Sequence, residues 1–138
     1  MRFVDTNVLL YAVSMAPEER RKAAIAVDLL HAPDLALSVQ VLQEFYVQST
    51  RPTKADRISH AHALLLVEAY LRFPTQETTV SLTRAALDAA ERFGVSLWDA
   101  AMVEATRALS CSVLLTEDLA DGQDYDGVRV ENPFRIAG

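Results

Sequence analysis

The sequence predicts an α/β fold in which a mainly parallel central sheet is covered by helices on both faces, and three observations carry that prediction. Short apolar runs such as Phe3-Val4, Leu35-Ala36-Leu37 and Val113-Leu114-Leu115 show no polar alternation, as strands buried on both sides do. Segments of helical length separate them, with apolar positions recurring at three- and four-residue spacing. The 138 residues contain no repeat, linker or shift in composition, so a single domain accounts for the whole.

Taken in order, Phe3-Val4 is a short strand closed by Asp5-Thr6-Asn7, and Val8-Leu9-Leu10-Tyr11-Ala12 begins a helix. Pro17 with Glu18 and Glu19 starts the next helix, since proline suits a first turn and acids suit its positive end. That helix runs through Ala23, Ala24, Val27 and Leu30 and stops near Pro33. Leu35-Ala36-Leu37 is the second strand, and Ser38 caps a helix carrying Val41, Leu42, Glu44, Phe45 and Tyr46. After Arg51-Pro52, Thr53 and Asp56 open a long helix to about Arg72. Residues 61–71 are nearly all apolar, too broad a stripe for one core-facing side, which predicts a second buried face against another subunit. Thr78-Thr79-Val80 is β-prone and reads as a short strand. Ser81 then caps a helix through Leu82, Ala85, Ala86, Ala89 and Phe93, with Gly94 as its left-handed end. Ser96 caps the helix of Trp98, Asp99, Met102, Val103 and Thr106. Ser112 to Thr116 is the clearest buried strand, Val128-Arg129-Val130 the last, and Pro133 ends regular structure.

Composition narrows the class. Half of the residues are apolar, and the single cysteine, Cys111, permits no internal disulfide, which suits a reducing compartment. Met1-Arg2 leads directly into Phe3-Val4-Asp5, without a basic-then-apolar leader, and no run approaches the roughly 20 apolar residues of a membrane span. The expectation is a soluble, cytoplasmic domain that does not engage membranes. A net charge of −6 sits awkwardly with a polyanionic partner. The charge is nonetheless uneven: Arg20-Arg21-Lys22 and Arg51, Lys54, Arg57 hold six of the 13 basic residues, enough for a local positive patch or simply two solvated segments.

In open α/β sheets, function gathers outside the carboxyl ends of the strands. Asp5 and Asp118 fall there, beside small polar residues, Thr6 and Thr116, able to hold a carboxylate by hydrogen bond. Asp99 lies in the first turn of its helix and Glu44 in the second turn of another. Each has an ordinary explanation taken singly: Asp99 as a favourable charge at a helix start, Glu44 as a solvated helix residue, Asp118 as a turn residue. Asp5 is the hardest to dismiss, because a charge at the end of a buried strand is costly without a partner. A divalent cation shared by these acids would remove that cost. His31, His60, His62 and Cys111 show no mutual ligand spacing and read as structural. No phosphate-binding Gly-x-x-x-x-Gly-Lys loop and no Gly-x-Ser-x-Gly elbow is present.

These residues resemble a known family. Phe3-Val4-Asp5-Thr6-Asn7-Val8-Leu9-Leu10-Tyr11 is similar to the opening of PIN domains, especially the VapC toxins of bacterial toxin–antitoxin pairs. Ser38 to Tyr46 resembles their second motif, Leu97-Trp98-Asp99-Ala100-Ala101 the third, and Leu114-Leu115-Thr116-Glu117-Asp118-Leu119 the fourth. Val128 to Phe134 resembles their closing strand. The resemblance implies a three-layer α/β/α PIN-like domain with endoribonuclease activity, an Mg²⁺ or Mn²⁺ cofactor, a homodimer and a cognate antitoxin that occludes the site. Carried over by position, it makes Asp5 and Asp99 the principal metal ligands. Asp118 completes or tunes the site, Glu44 binds metal or water, and Asn7 and Thr116 support them. The fourth acidic role goes to Asp118 rather than Asp121 because Asp118 directly follows Thr116-Glu117. Arg20, Arg21, Lys22, Arg51 and Lys54 are candidates to hold RNA. Two rival readings share the acidic pocket: a non-catalytic RNA- or protein-binding PIN-like module, and an Mg²⁺-dependent phosphoacceptor signalling domain. The latter wants a lysine near the site, and only Lys22 and Lys54 exist, neither after a late strand.

Overall fold

The computed structural model describes residues 1–136. The chain runs β1 (Arg2–Val4), α1 (Thr6–Ala12), a 3-10 turn (Pro17–Glu19), α2 (Arg20–Leu29), β2 (Leu35–Ser38), α3 (Val39–Ser49) and α4 (His60–Tyr70). It continues through β3 (Thr75–Gln76), α5 (Val80–Phe93), α6 (Leu97–Ala108), β4 (Val113–Leu115), β5 (Asp124–Tyr125) and β6 (Val128–Glu131). The sheet order is β3-β2-β1-β4-β6-β5, parallel throughout except for β5 against β6.

That order follows from the connections. The chain builds outward from β1 to β2 to β3, then returns through α5 and α6 to place β4 on the other side of β1. Right-handed crossovers made in opposite directions put their helices on opposite faces. Accordingly α1 packs on α2 and α3, while α5 and α6 pack on each other and α6 lies against β2, β4 and β6. Strand order therefore reverses between β1 and β4, which opens a crevice at their carboxyl ends. Their register, Val4 opposite Leu115, sets Asp5 and Thr116 side by side just beyond it.

The apolar runs are buried as expected. Phe3, Val4, Leu35, Leu37, Leu114 and Val130 have no solvent exposure, and Val8, Leu9, Val41, Phe45 and Val103 close over them from α1, α3 and α6. Helix ends also fall where the sequence places them: Ser38 accepts from the Val41 N–H, Ser96 from the Asp99 N–H, and Gly94 ends α5 at φ 65°.

Other boundaries differ. The long helix from Thr53 is in fact a loop followed by the shorter α4, because Asp56 accepts the Met15 N–H at 2.8 Å and Ile58 returns to the Ser49 carbonyl at 3.0 Å. Ser59, not Thr53, caps that helix. Thr78-Thr79-Val80 is not a strand: the short strand is Thr75–Gln76, paired with Leu37 and Ser38, and Thr79 rather than Ser81 caps α5. Pro17 opens a 3-10 turn ahead of α2. β5, absent from the sequence reading, forms a hairpin with β6 around Asp126 (φ 51°) and Gly127 (φ 96°), the Asp-Gly pairing that such a tight turn favours. Among the described residues no helix is long and apolar enough to cross a membrane.

Candidate active site

Asp5 leaves β1 in an extended conformation and caps α1, one carboxylate oxygen accepting the Val8 N–H at 3.4 Å. Its other oxygen accepts the Thr116 hydroxyl. Only 4% of the residue is exposed. Burial raises its pKa to about 7, and the charge of Asp118 adds to the rise, against the bonds from Thr116 and the backbone. Thr116 works in both directions, since its hydroxyl oxygen also accepts the Asp118 N–H at 3.1 Å. One side chain at the end of β4 thus ties both acids to the sheet. Asn7, from the first turn of α1, donates to both oxygens of Asp118 at 3.3 and 3.1 Å. The Asp118 pKa is raised by desolvation and by the charges of Asp99 and Glu117.

Glu44 comes from α3, which rises directly out of β2. Thr6 donates to one of its oxygens at 2.6 Å and Gln40, one turn earlier, to the other at 3.1 Å. Asp99 is delivered by the start of α6, whose course back toward β4 brings its N-terminus over the carboxyl ends of the strands. Asp5, Glu44, Asp99 and Asp118 all line one pocket of about 140 Å³, together with Thr6, Asn7, Gln48, Trp98, Met102, Thr116 and Leu119. Among the described residues no basic side chain lines it.

The structure separates Asp118 from Asp121. Asp121 lies outside the pocket, accepting the Asn132 N–H at 2.8 Å and Arg135 at 2.9 Å. His31, His60 and Cys111 also lie elsewhere; His31 meets the Val27 carbonyl and His60 the Tyr46 hydroxyl. Lys22, read from the sequence as a candidate for holding RNA, is already engaged: its ammonium pairs with Glu117 at 2.6 Å and approaches the Tyr11 hydroxyl at 3.3 Å. Tyr11 donates to the same carboxylate. Burial works against the Glu117 charge, but Lys22 and Tyr11 overcome it and hold the carboxyl below its ordinary range. Lys22 therefore does reach the end of β4, yet through the neighbour of Asp118.

Thr6 holds a carboxylate as its residue type suggested, but that of Glu44; Gln40, Gln48, Trp98 and the Lys22–Glu117–Tyr11 cluster escaped the sequence reading. Of these, Gln40 carried a legible signal, its one-turn spacing from Glu44.

The donor set suits a hard divalent cation. Carboxylates whose charges oppose one another, with no cation beside them in the lining, are the surroundings that such an ion neutralises. Among the described residues no three acidic, histidine or cysteine side chains stand close enough together, as placed, to hold a metal ion between them. An open site of few carboxylates fits Mg²⁺, which keeps several of its waters.

Known structures share this architecture. A toxin–antitoxin complex from Klebsiella pneumoniae superposes with a TM-score of 0.72 at 17% identity, over 99% of this chain and 100% of that one. VapC20 of Mycobacterium tuberculosis, a toxin that cleaves the sarcin–ricin loop, gives 0.67 at 19% identity over 86% and 92%. VapBC2 of Rickettsia felis, bound to a DNA fragment from its promoter, gives 0.62 at 17% over 95% and 97%. Compared by sequence with curated proteins, the chain matches none. The PIN-domain family model matches residues 2–120. That stretch begins at the strand delivering Asp5 and ends just past Asp118, so all four pocket acids fall within it, and the chain belongs to the PIN-domain family.

Proposed function

We propose that the chain is a metal-dependent endoribonuclease, the toxin of a toxin–antitoxin pair. The observation carrying this reading is Asp5: a carboxylate 4% exposed at the point where strand order reverses, facing three more acids across one small pocket. Such a residue is poorly placed for stability alone and well placed to hold a cation. Mg²⁺ or Mn²⁺ bound there supplies neutralisation of the phosphodiester charge, a lowered pKa for the attacking water and stabilisation of the leaving oxygen.

The chain's own part is to place ligands. Asp5 and Asp99 are the principal ones; Asp118 completes the set from a position fixed by Thr116 and Asn7. Glu44, steadied by Thr6 and Gln40, would bind the metal or a water. The partners in this reading are an RNA substrate, a cognate antitoxin and a second copy of the chain. Two of the structures similar in fold are toxin–antitoxin assemblies, and a third is a toxin that cleaves the sarcin–ricin loop, which favours a nuclease over a binding module.

The test is incubation of total cellular RNA with purified, partner-free protein in Mg²⁺, Mn²⁺ or EDTA, beside Asp5→Asn. Discrete fragments are expected only with metal, with the variant slower by about 10²–10⁴-fold while still folded by circular dichroism. Cleavage that survives EDTA or is undiminished in Asp5→Asn overturns the reading, as does the absence of any cleavage by folded protein.

A further inference from the structure

We propose that the exposed indole of Trp98 is a platform on which the RNA substrate stacks an unpaired nucleobase next to the bond to be cut. The proposal rests on the nuclease reading above and adds to it a substrate-positioning residue.

Trp98 is the only tryptophan of the chain, and 63% of it is exposed although tryptophan is on average a highly buried residue. It is the second residue of α6, directly before Asp99, and it lines the mouth of the acidic pocket. Met102, one helical turn on, and Leu119, from the loop after β4, line the same pocket and are partly buried against the core. Apolar side chains thus share the lining with the acids, and the indole is the most exposed of them.

Size and charge then divide the work. A pocket of about 140 Å³ is well below the roughly 300–1,000 Å³ of clefts that enclose a small molecule, so it can take a phosphodiester and cation but not a nucleotide. The bases flanking the cut must lie outside, on the rim. Among the described residues no basic side chain lines the pocket to hold the backbone there. An aromatic face is what remains, and stacking on it is open to any unpaired base but closed to one already inside a duplex.

The experiment uses Trp98 as its own reporter. Asp5→Asn protein in Mg²⁺, slow to cut, is titrated with a mixed-sequence single-stranded RNA oligonucleotide and with the same strand annealed to its complement. The single strand is expected to quench Trp98 emission to saturation and the duplex is not. By anisotropy of the labelled strand, Trp98→Ala is expected to weaken binding about 5- to 100-fold and Trp98→Phe to restore most of it. In otherwise unaltered protein, Trp98→Ala is expected to raise KM by a similar factor with kcat little changed.

Equal quenching by duplex overturns the platform, since a base inside a helix has no free face to stack. Cleavage by Trp98→Ala with unaltered KM overturns the platform while leaving the nuclease standing. Blue-shifted emission that tracks protein concentration without RNA also overturns it, placing the indole in a contact between copies. If the unaltered protein cleaves nothing, the nuclease reading fails first and this proposal falls with it.

Discussion

Asp5 stands where a carboxylate is most expensive, 4% exposed and directly after Phe3 and Val4, which have no exposure. Its carboxyl in the native state keeps its proton up to about pH 7, whereas in the unfolded chain it ionises near 3.8. Between those values the unfolded state binds fewer protons than the native one, so this group's contribution to stability falls as pH rises from about 4 to 7, by at most about 4 kcal/mol. Asparagine has nearly the same shape and no charge. In EDTA, Asp5→Asn is therefore expected to melt above the unaltered protein, with a gap that widens between pH 5 and pH 8. Mg²⁺ should raise the melting temperature of the unaltered protein more than that of the variant. Thermal melts by circular dichroism at the two pH values check this, and a gap that does not change with pH would mean that Asp5 is ionised throughout. The four pocket acids were legible in the sequence because each sits at a strand end or in an early helix turn. Trp98 was not, because its one-turn spacing to Met102 looks the same whether that stripe is buried or lies open at a pocket mouth.

At the scale of elements, legibility tracked the range of the interactions involved. Ser38, Ser96 and Gly94 were readable because each bonds backbone within its own turn. The start of α4 and the position of β3 were not, since they depend on Met15 reaching Asp56 and on Leu37 pairing across the sheet. The Lys22–Glu117–Tyr11 cluster is of the same long-range kind. It joins α1, α2 and the segment after β4, and Glu117 lies between Thr116 and Asp118. The side chains of Lys22 and Glu117 are 36% and 17% exposed, so the pair is neither freely solvated nor fully desolvated. A double-mutant cycle of Lys22→Met and Glu117→Gln, measured by urea unfolding, is expected to give a coupling of about 1 kcal/mol. Each single variant should also lower cleavage about 10-fold by loosening Asp118. Coupling below about 0.3 kcal/mol with full activity would reduce the pair to a surface contact.

For the molecule as a whole, the unexplained feature is the outer face of α3 and α4. The breadth of the apolar run at 61–71 predicted a second buried surface, and in the isolated chain that surface is open: Val47 is 57% exposed, Leu64 50%, Leu65 72% and Leu71 46%. Between the two helices runs a groove in which Val39, Leu42, Tyr46, Val47, Leu64, Val67 and Leu71 outnumber its polar residues, Gln43 and His60. A stable interface covers about 800 Å² on each partner, roughly a tenth of the 7647 Å² that this chain exposes. α3 also carries Glu44 on the side facing α1, so a second copy seated in the groove would brace the helix that positions one of the four acids. The proposed homodimer is thus expected in sedimentation velocity at micromolar concentration. Leu64→Glu and Leu71→Glu should each shift it to monomer, because a charge buried unpaired in an apolar contact costs more than the contact returns. If the unaltered protein sediments as a monomer, the face is left to the antitoxin, and the same two substitutions should then abolish complex formation without altering cleavage of RNA by the free chain.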